Sequence, residues 1–118
     1  MKRLALLLSL LLVGCNQTSG DVMSRPELHA RAYISKMAQH QRIDIERSMH
    51  AAIPAFERAY HAGQLERKSH ASDDKARYDA DRIYRMNVLD VGTNDDRRDS
   101  VIFASEIRET FLDGYAGK

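Results

Sequence analysis

The sequence predicts an all-α protein, a small bundle of about four helices behind a flexible N-terminal tether. Three observations predict it. Apolar residues recur at helical spacing in four separate stretches: Ala30, Tyr33, Ile34 and Met37; Ile45, Met49, Ala52 and Ile53; Ala76, Ala80, Ile83 and Tyr84; and Ile102, Phe103, Ile107 and Phe111. Residues that favour helix starts, Ser24, Asp44 and Ser72, stand before three of them. No run alternates apolar and polar residues long enough for a strand; Ile43-Asp44-Ile45 is the nearest and is too short.

The first helix starts at Ser24, with Pro26 tolerated in the first turn and Glu27 suited to the positive end of the dipole. Its pattern fades at Gln39-His40-Gln41-Arg42, which reads as a break or weak turn, with a continuous helix as the alternative. Asp44 caps the second helix, whose apolar face continues to Phe56 and Tyr60. Pro54 lies inside this run, where it cannot donate to the preceding turn and crowds it. It either kinks the helix or sits in the first turn of a new one. Gly63 reads as the stop, followed by a polar stretch, Gln64 to His70, with Leu65 its one large apolar residue. The third helix starts at Ser72-Asp73-Asp74 and carries a narrow apolar face. Val88 to Asp99, holding Gly92-Thr93-Asn94-Asp95-Asp96, reads as a loop. The last helix is expected from about Arg98 to Leu112, stopped by Asp113-Gly114, with Tyr115 folding back on the core.

The N-terminus has a different character. Met1-Lys2-Arg3 precedes an apolar run, Leu4 to Val13, which ends on Gly14-Cys15. The run is short of the roughly 20 residues a membrane span needs. Its order, basic then apolar then small, is that of a cleaved signal peptide. Leu12-Val13-Gly14-Cys15 resembles a bacterial lipobox, and Cys15 is the only cysteine of the chain. That resemblance implies cleavage after Gly14, a diacylglycerol on the Cys15 sulfur and an acyl chain on its new amine. Residue 16 is Asn rather than the Asp associated with inner-membrane retention, which implies an outer-membrane lipoprotein facing the periplasm. The expected organisation is a signal peptide over 1–14, an acylated cysteine and tether over 15–25, and one helical domain over 26–118. Extended, the ten residues after Cys15 reach about 35 Å.

Composition narrows the function. The chain has 118 residues, no tryptophan and three phenylalanines, so its core is modest. The formal charge of +1 includes Lys2 and Arg3; without them it is −1, which gives no support for nucleic-acid binding. A single cysteine leaves no intramolecular disulfide to staple the domain.

No candidate chemistry stands out against its bland alternative. His29, His40, His50, His61 and His70 are spaced by 11, 10, 11 and 9 residues. Ligands on one helix must lie about one turn apart, so these read as surface or half-buried histidines rather than a metal site. Asn94, Asp95, Asp96 and Asp99 lack the alternation and terminal Glu of a calcium loop and read as an acidic turn capping the last helix. There is no Gly-x-Ser-x-Gly elbow, P-loop or HExxH, and the expectation is a non-enzyme with no metal and no cofactor beyond its lipid. Tyr78 lies off the apolar stripe and is a candidate partner contact. Arg97 and Arg98 are candidates for lipid phosphate or a partner, or neutralise the adjacent acids.

The domain resembles the plasmid entry-exclusion lipoproteins, the second exclusion protein of colicin-type plasmids and its relatives. The resemblance rests on the lipobox, on Ala30-Arg31-Ala32-Tyr33, on Ile53-Pro54-Ala55-Phe56-Glu57-Arg58-Ala59-Tyr60-His61-Ala62-Gly63, and on Phe111-Leu112-Asp113-Gly114-Tyr115-Ala116-Gly117. Residues 64–100 share only helical character with it. It implies a membrane-anchored protein that blocks DNA entry or superinfection by binding an envelope protein, with no catalytic residues. An accessory subunit of an envelope assembly and an inhibitor of an envelope hydrolase are the alternatives.

Overall fold

The computed structural model describes residues 23–88 and 92–118. They form four helices: α1 Arg25–Ala38, α2 Ile45–Lys68, α3 Asp73–Asn87 and α4 Asn94–Ala116. No strand occurs among the described residues. The expected signal peptide, Cys15 and most of the tether lie outside them.

Each helix start is written in its cap. The Ser24 hydroxyl accepts from the Glu27 N–H at 3.4 Å, the Asp44 carboxylate from Arg47 at 3.1 Å and the Ser72 hydroxyl from Lys75 at 3.2 Å. Thr93 and Asp96 form a reciprocal capping box, each side chain accepting from the other's backbone N–H at 3.1 Å. That box starts α4 at Asn94, earlier than Arg98, because it satisfies two N–H groups that would otherwise lack partners. The acids of the supposed loop are therefore the first turn of a helix.

The helices run up, down, up and down. Arg25 and His29 of α1 reach Asp113 of α4 while Gln41, beyond α1, reaches Asp99, so α1 and α4 are antiparallel. Phe56 meets Phe103 while Gly63 meets Phe111, so α2 and α4 are parallel. α2 and α4 share the largest interface; α1 packs on both, and α3 packs chiefly on α4. The core joins Ala30, Phe56, Ala59 and Ile107, with Tyr33, Met49, Ile53 and Phe103 packed against it. Phe56 is fully buried and meets Phe103 edge-on at 5.7 Å, and Tyr33 meets Phe103 edge-on at 5.2 Å. Such pairs add about 0.5–1.5 kcal/mol beyond burial, a useful supplement in a core built largely of alanines.

Two further expected boundaries move. α2 does not stop at Gly63 but continues to Lys68, through the polar stretch. α4 does not stop at Asp113-Gly114 but continues to Ala116, capped by Gly117 in the left-handed conformation. Both interior glycines are buried where the two helices touch. A Cβ on Gly63 would lie 2.0 Å from the Phe111 carbonyl oxygen, and one on Gly114 would lie 2.1 Å from that of Tyr60. They are there for close approach, not for chain reversal. α2 also runs unbroken through Pro54, whose ring is exposed and whose missing bond leaves the His50 carbonyl on an exposed turn. Just beyond the end of α2, His70 takes a left-handed φ of 58° and turns the chain. Ile45, expected on the apolar face, is exposed at the first turn. Tyr115 lies within α4, and its hydroxyl donates to the Ala71 carbonyl at 2.5 Å, tying α4 to the α2–α3 turn.

Candidate functional site

Three features collect the polar and exposed apolar side chains, and each follows from how the helices are placed. The first is a charged cluster between α1 and α4. α1 presents His29 at its inner edge, one turn before the buried Ile34 face, and α4 presents Glu106 and Asp113 two turns apart. His29 Nδ1 lies 2.9 Å from Glu106 Oε2, and its Nε2 lies 2.8 Å from Asp113 Oδ2. Lys36 donates to the other Glu106 oxygen at 2.8 Å, and Arg25 lies 3.7 Å from Asp113.

Two carboxylates on opposite ring nitrogens favour the doubly protonated imidazolium. Burial alone would push the His29 pKa down, but the hydrogen bonds to Asp113 and Glu106 prevail and raise it above 6.5. Burial likewise pushes Glu106 up, and the hydrogen bonds from Lys36 and His29 prevail and bring it below 4.5. With every acid facing a cation, the cluster is an ionic clasp that fixes α1 against α4.

The second feature is a cleft of about 380 Å³ between α1 and the first half of α2. Tyr33, Ile34 and Met37 form one wall, Ala51 and Ala52 the other, and Phe103 the floor. The third is a groove of about 470 Å³ between the end of α2 and α3, where both lie on α4 without closing over it. Phe111 is its floor, with Ala62 and Leu65 on one side and Arg82 and Ile83 on the other. Lys75 closes the end near the turn, donating to Glu66 at 2.9 Å and Asp79 at 2.6 Å. Leu65 is 51% exposed on its rim; Met86 at 74% and Tyr78 at 64% stand on α3 one turn either side of Arg82. These are three of the six large apolar side chains exposed among the described residues.

The residues singled out in the sequence separate in space. Gly14, Cys15 and Asn16 lie outside the described residues. Tyr78 is exposed on α3. Arg97 and Arg98 belong to the first turns of α4: Arg97 donates to the Asn94 side chain at 2.9 Å, and Arg98 lies 3.2 Å from Asp95 and 3.8 Å from Asp99. Arg98 thus pairs with its acidic neighbours, and Arg97 with a side-chain amide. His40, His50, His61 and His70 are exposed, whereas His29 is the one drawn into the bundle. Sequence reasoning missed its role because Glu106 and Asp113 are 77 and 84 residues away. The available signal was the presence of acids on the otherwise apolar face of α4. Leu65 was missed as a groove residue because only the antiparallel α2–α3 hairpin brings it opposite Arg82 and Ile83.

No group of three or more His, Cys, Asp or Glu placed to hold a metal occurs among the described residues. No described helix is long and apolar enough to cross a membrane. Comparison with family models, with curated proteins and with solved structures finds no match to this chain.

Proposed function

We propose that this chain is a lipid-anchored envelope protein that acts by binding another protein, and that its biological role is exclusion of DNA entry or superinfection. The observation that carries the binding reading is the groove between α2 and α3. Its apolar floor at Phe111 lies between exposed Leu65 and Arg82, and Tyr78 and Met86 are exposed on the same helix as Arg82, residue types enriched at interfaces. The anchor reading rests on the Leu12–Cys15 signal, and the exclusion role on the resemblance stated above. An anchored domain needs only a modest interface, because confinement to the membrane plane raises its effective concentration. Occluding a pore, receptor or mating component would need no chemistry.

Photo-cross-linking from Tyr78 and from Met86 in intact cells tests the binding. A discrete adduct from these positions, absent from the outer face of α2 at His61, is the expected result; equal labelling from all three would overturn it. Conjugation and phage-infection assays test the role. Leu65→Glu with Met86→Glu should lose exclusion while the protein still accumulates. Deletion of the chain without any change in DNA entry would reject exclusion. A stoichiometric assembly partner or an inhibited hydrolase would then name the alternative.

A further inference from the structure

The arginines of α3 are left without partners by the way its acids are used. Helical spacing places Asp79 to pair with Arg82, three residues on, and Asp81 to pair with Arg85, four residues on. In the bundle both acids are drawn elsewhere. Asp79 accepts from Lys75 at 2.6 Å, and Asp81 lies 3.0 Å from Arg108 of α4. Arg82 acts on Asp79 only at longer range, and Arg85 has no ion pair among the described residues. Residues 82–87 carry these two cations and no acid. Tyr78, Arg82 and Arg85 succeed one another at four and three residues, so they share one outer face, and Met86 adjoins it a turn beyond Arg82. Met86 and Tyr78 are the two most exposed large apolar side chains among the described residues. Unpaired positive charge and exposed apolar surface therefore coincide on α3, at the rim of the α2–α3 groove.

We infer that what docks in the α2–α3 groove is an acidic segment of a partner protein, whose apolar side chain enters over Phe111 while its flanking carboxylates engage Arg82 and Arg85. This partner chemistry rests on the groove being the binding surface, as proposed above. Three observations select the occupant. The charge is complementary: an unpaired guanidinium presents a fork of N–H donors that matches a carboxylate in bidentate fashion. The shape is recessed: Phe111 is 2% exposed at the floor of a space of about 470 Å³, below Leu65 and Arg82, which fits an inserted side chain rather than a flat surface. The third observation is Asp74, exposed and without an ion pair one turn before Tyr78 on the same outer face. An anionic lipid surface laid on this face would press its phosphates against Asp74, whereas a short protein segment leaves that carboxylate in water. The arginines would then steer the encounter and fix its register, and the apolar contact would supply the hold.

A random peptide library displayed on phage, panned against the full-length chain in non-ionic detergent, samples segments without prior choice of partner. Peptides whose binding is lost in Leu65→Gln are the groove binders. They are expected to carry Asp or Glu on both sides of an apolar residue. Synthetic copies, followed by fluorescence anisotropy, should bind about tenfold or more weakly to Arg82→Glu with Arg85→Glu, and should weaken likewise in high salt or with their carboxylates replaced by amides. The double variant should keep the helical circular dichroism of the parent, since both arginines are exposed. Groove binders that are neutral or basic, or acidic ones indifferent to the charge reversal, would overturn the acidic partner and leave the groove reading standing. Recovery of no Leu65-dependent peptide would reject the groove itself, and the acidic partner with it. A membrane is the rival occupant. The chain has no tryptophan, so Tyr78→Trp, held on vesicles of phosphatidylcholine with brominated phosphatidylglycerol, reports lipid contact at this face alone. Unquenched fluorescence is expected; quenching that disappears when Arg82 and Arg85 are reversed would assign the face to lipid and overturn the inference.

Discussion

At the scale of the residue, His29 gives the bundle its pH dependence. Its pKa is raised on folding, so its stabilisation is complete below about 6.5 and is lost as pH rises through the folded value. The pKa of Glu106 is lowered on folding, so its stabilisation is complete above about 4.5 and is lost as pH falls through the folded value. Both contributions are present together between those limits. Urea denaturation across pH should therefore find the clasp strongest between about 4.5 and 6.5. His29→Gln should flatten the alkaline limb and weaken the acidic one, on which Lys36 still holds Glu106. His29→Ala should cost about 2 kcal/mol near pH 6, since it leaves two partly buried carboxylates short of a cation. A variant equal to the parent at pH 6 would show that water replaces the imidazolium without loss.

At the scale of the element, the helix ends and contacts were read with unequal success. N-caps are local, since a side chain two or three residues away satisfies a free N–H; Ser24, Asp44 and Ser72 were therefore legible. Glycines are ambiguous in sequence because one residue type serves both helix stops and close helix contact. Gly63 and Gly114 serve contact, and only the partner backbone reveals it. Gly63→Ala should lower stability by about 3 kcal/mol despite its better helix propensity, because the new methyl meets a carbonyl rather than a side chain able to rotate. Thermal melting checks this, and an unchanged melting temperature would mean that α2 and α4 can separate cheaply. His70 occupies the left-handed position where glycine is the usual residue. His70→Gly should stabilise the protein by about 0.5–1 kcal/mol, read from the same melts.

At the scale of the whole molecule, α1, α2 and α4 form the packed body and α3 lies at one edge, which leaves the α2–α3 groove open. The charged clasp and the aromatic contacts hold the body without any disulfide. Anchoring and folding should therefore be separable. Cys15→Ala is expected to fractionate away from the membrane while keeping its helical spectrum and cooperative melt. Retained exclusion in that variant would contradict the argument from confinement.

The sequence by itself determined the helical class, the starts of the first three helices and the lipobox-like N-terminus, because periodicity, caps and signal order are properties of neighbouring residues. Tertiary structure decided where α2 and α4 end, which histidine is held between carboxylates, and that Leu65 faces Arg82 and Ile83 across one groove. Each of those depends on residues brought together from distant parts of the chain, and the only force that selects among such pairings is the packing of the whole bundle.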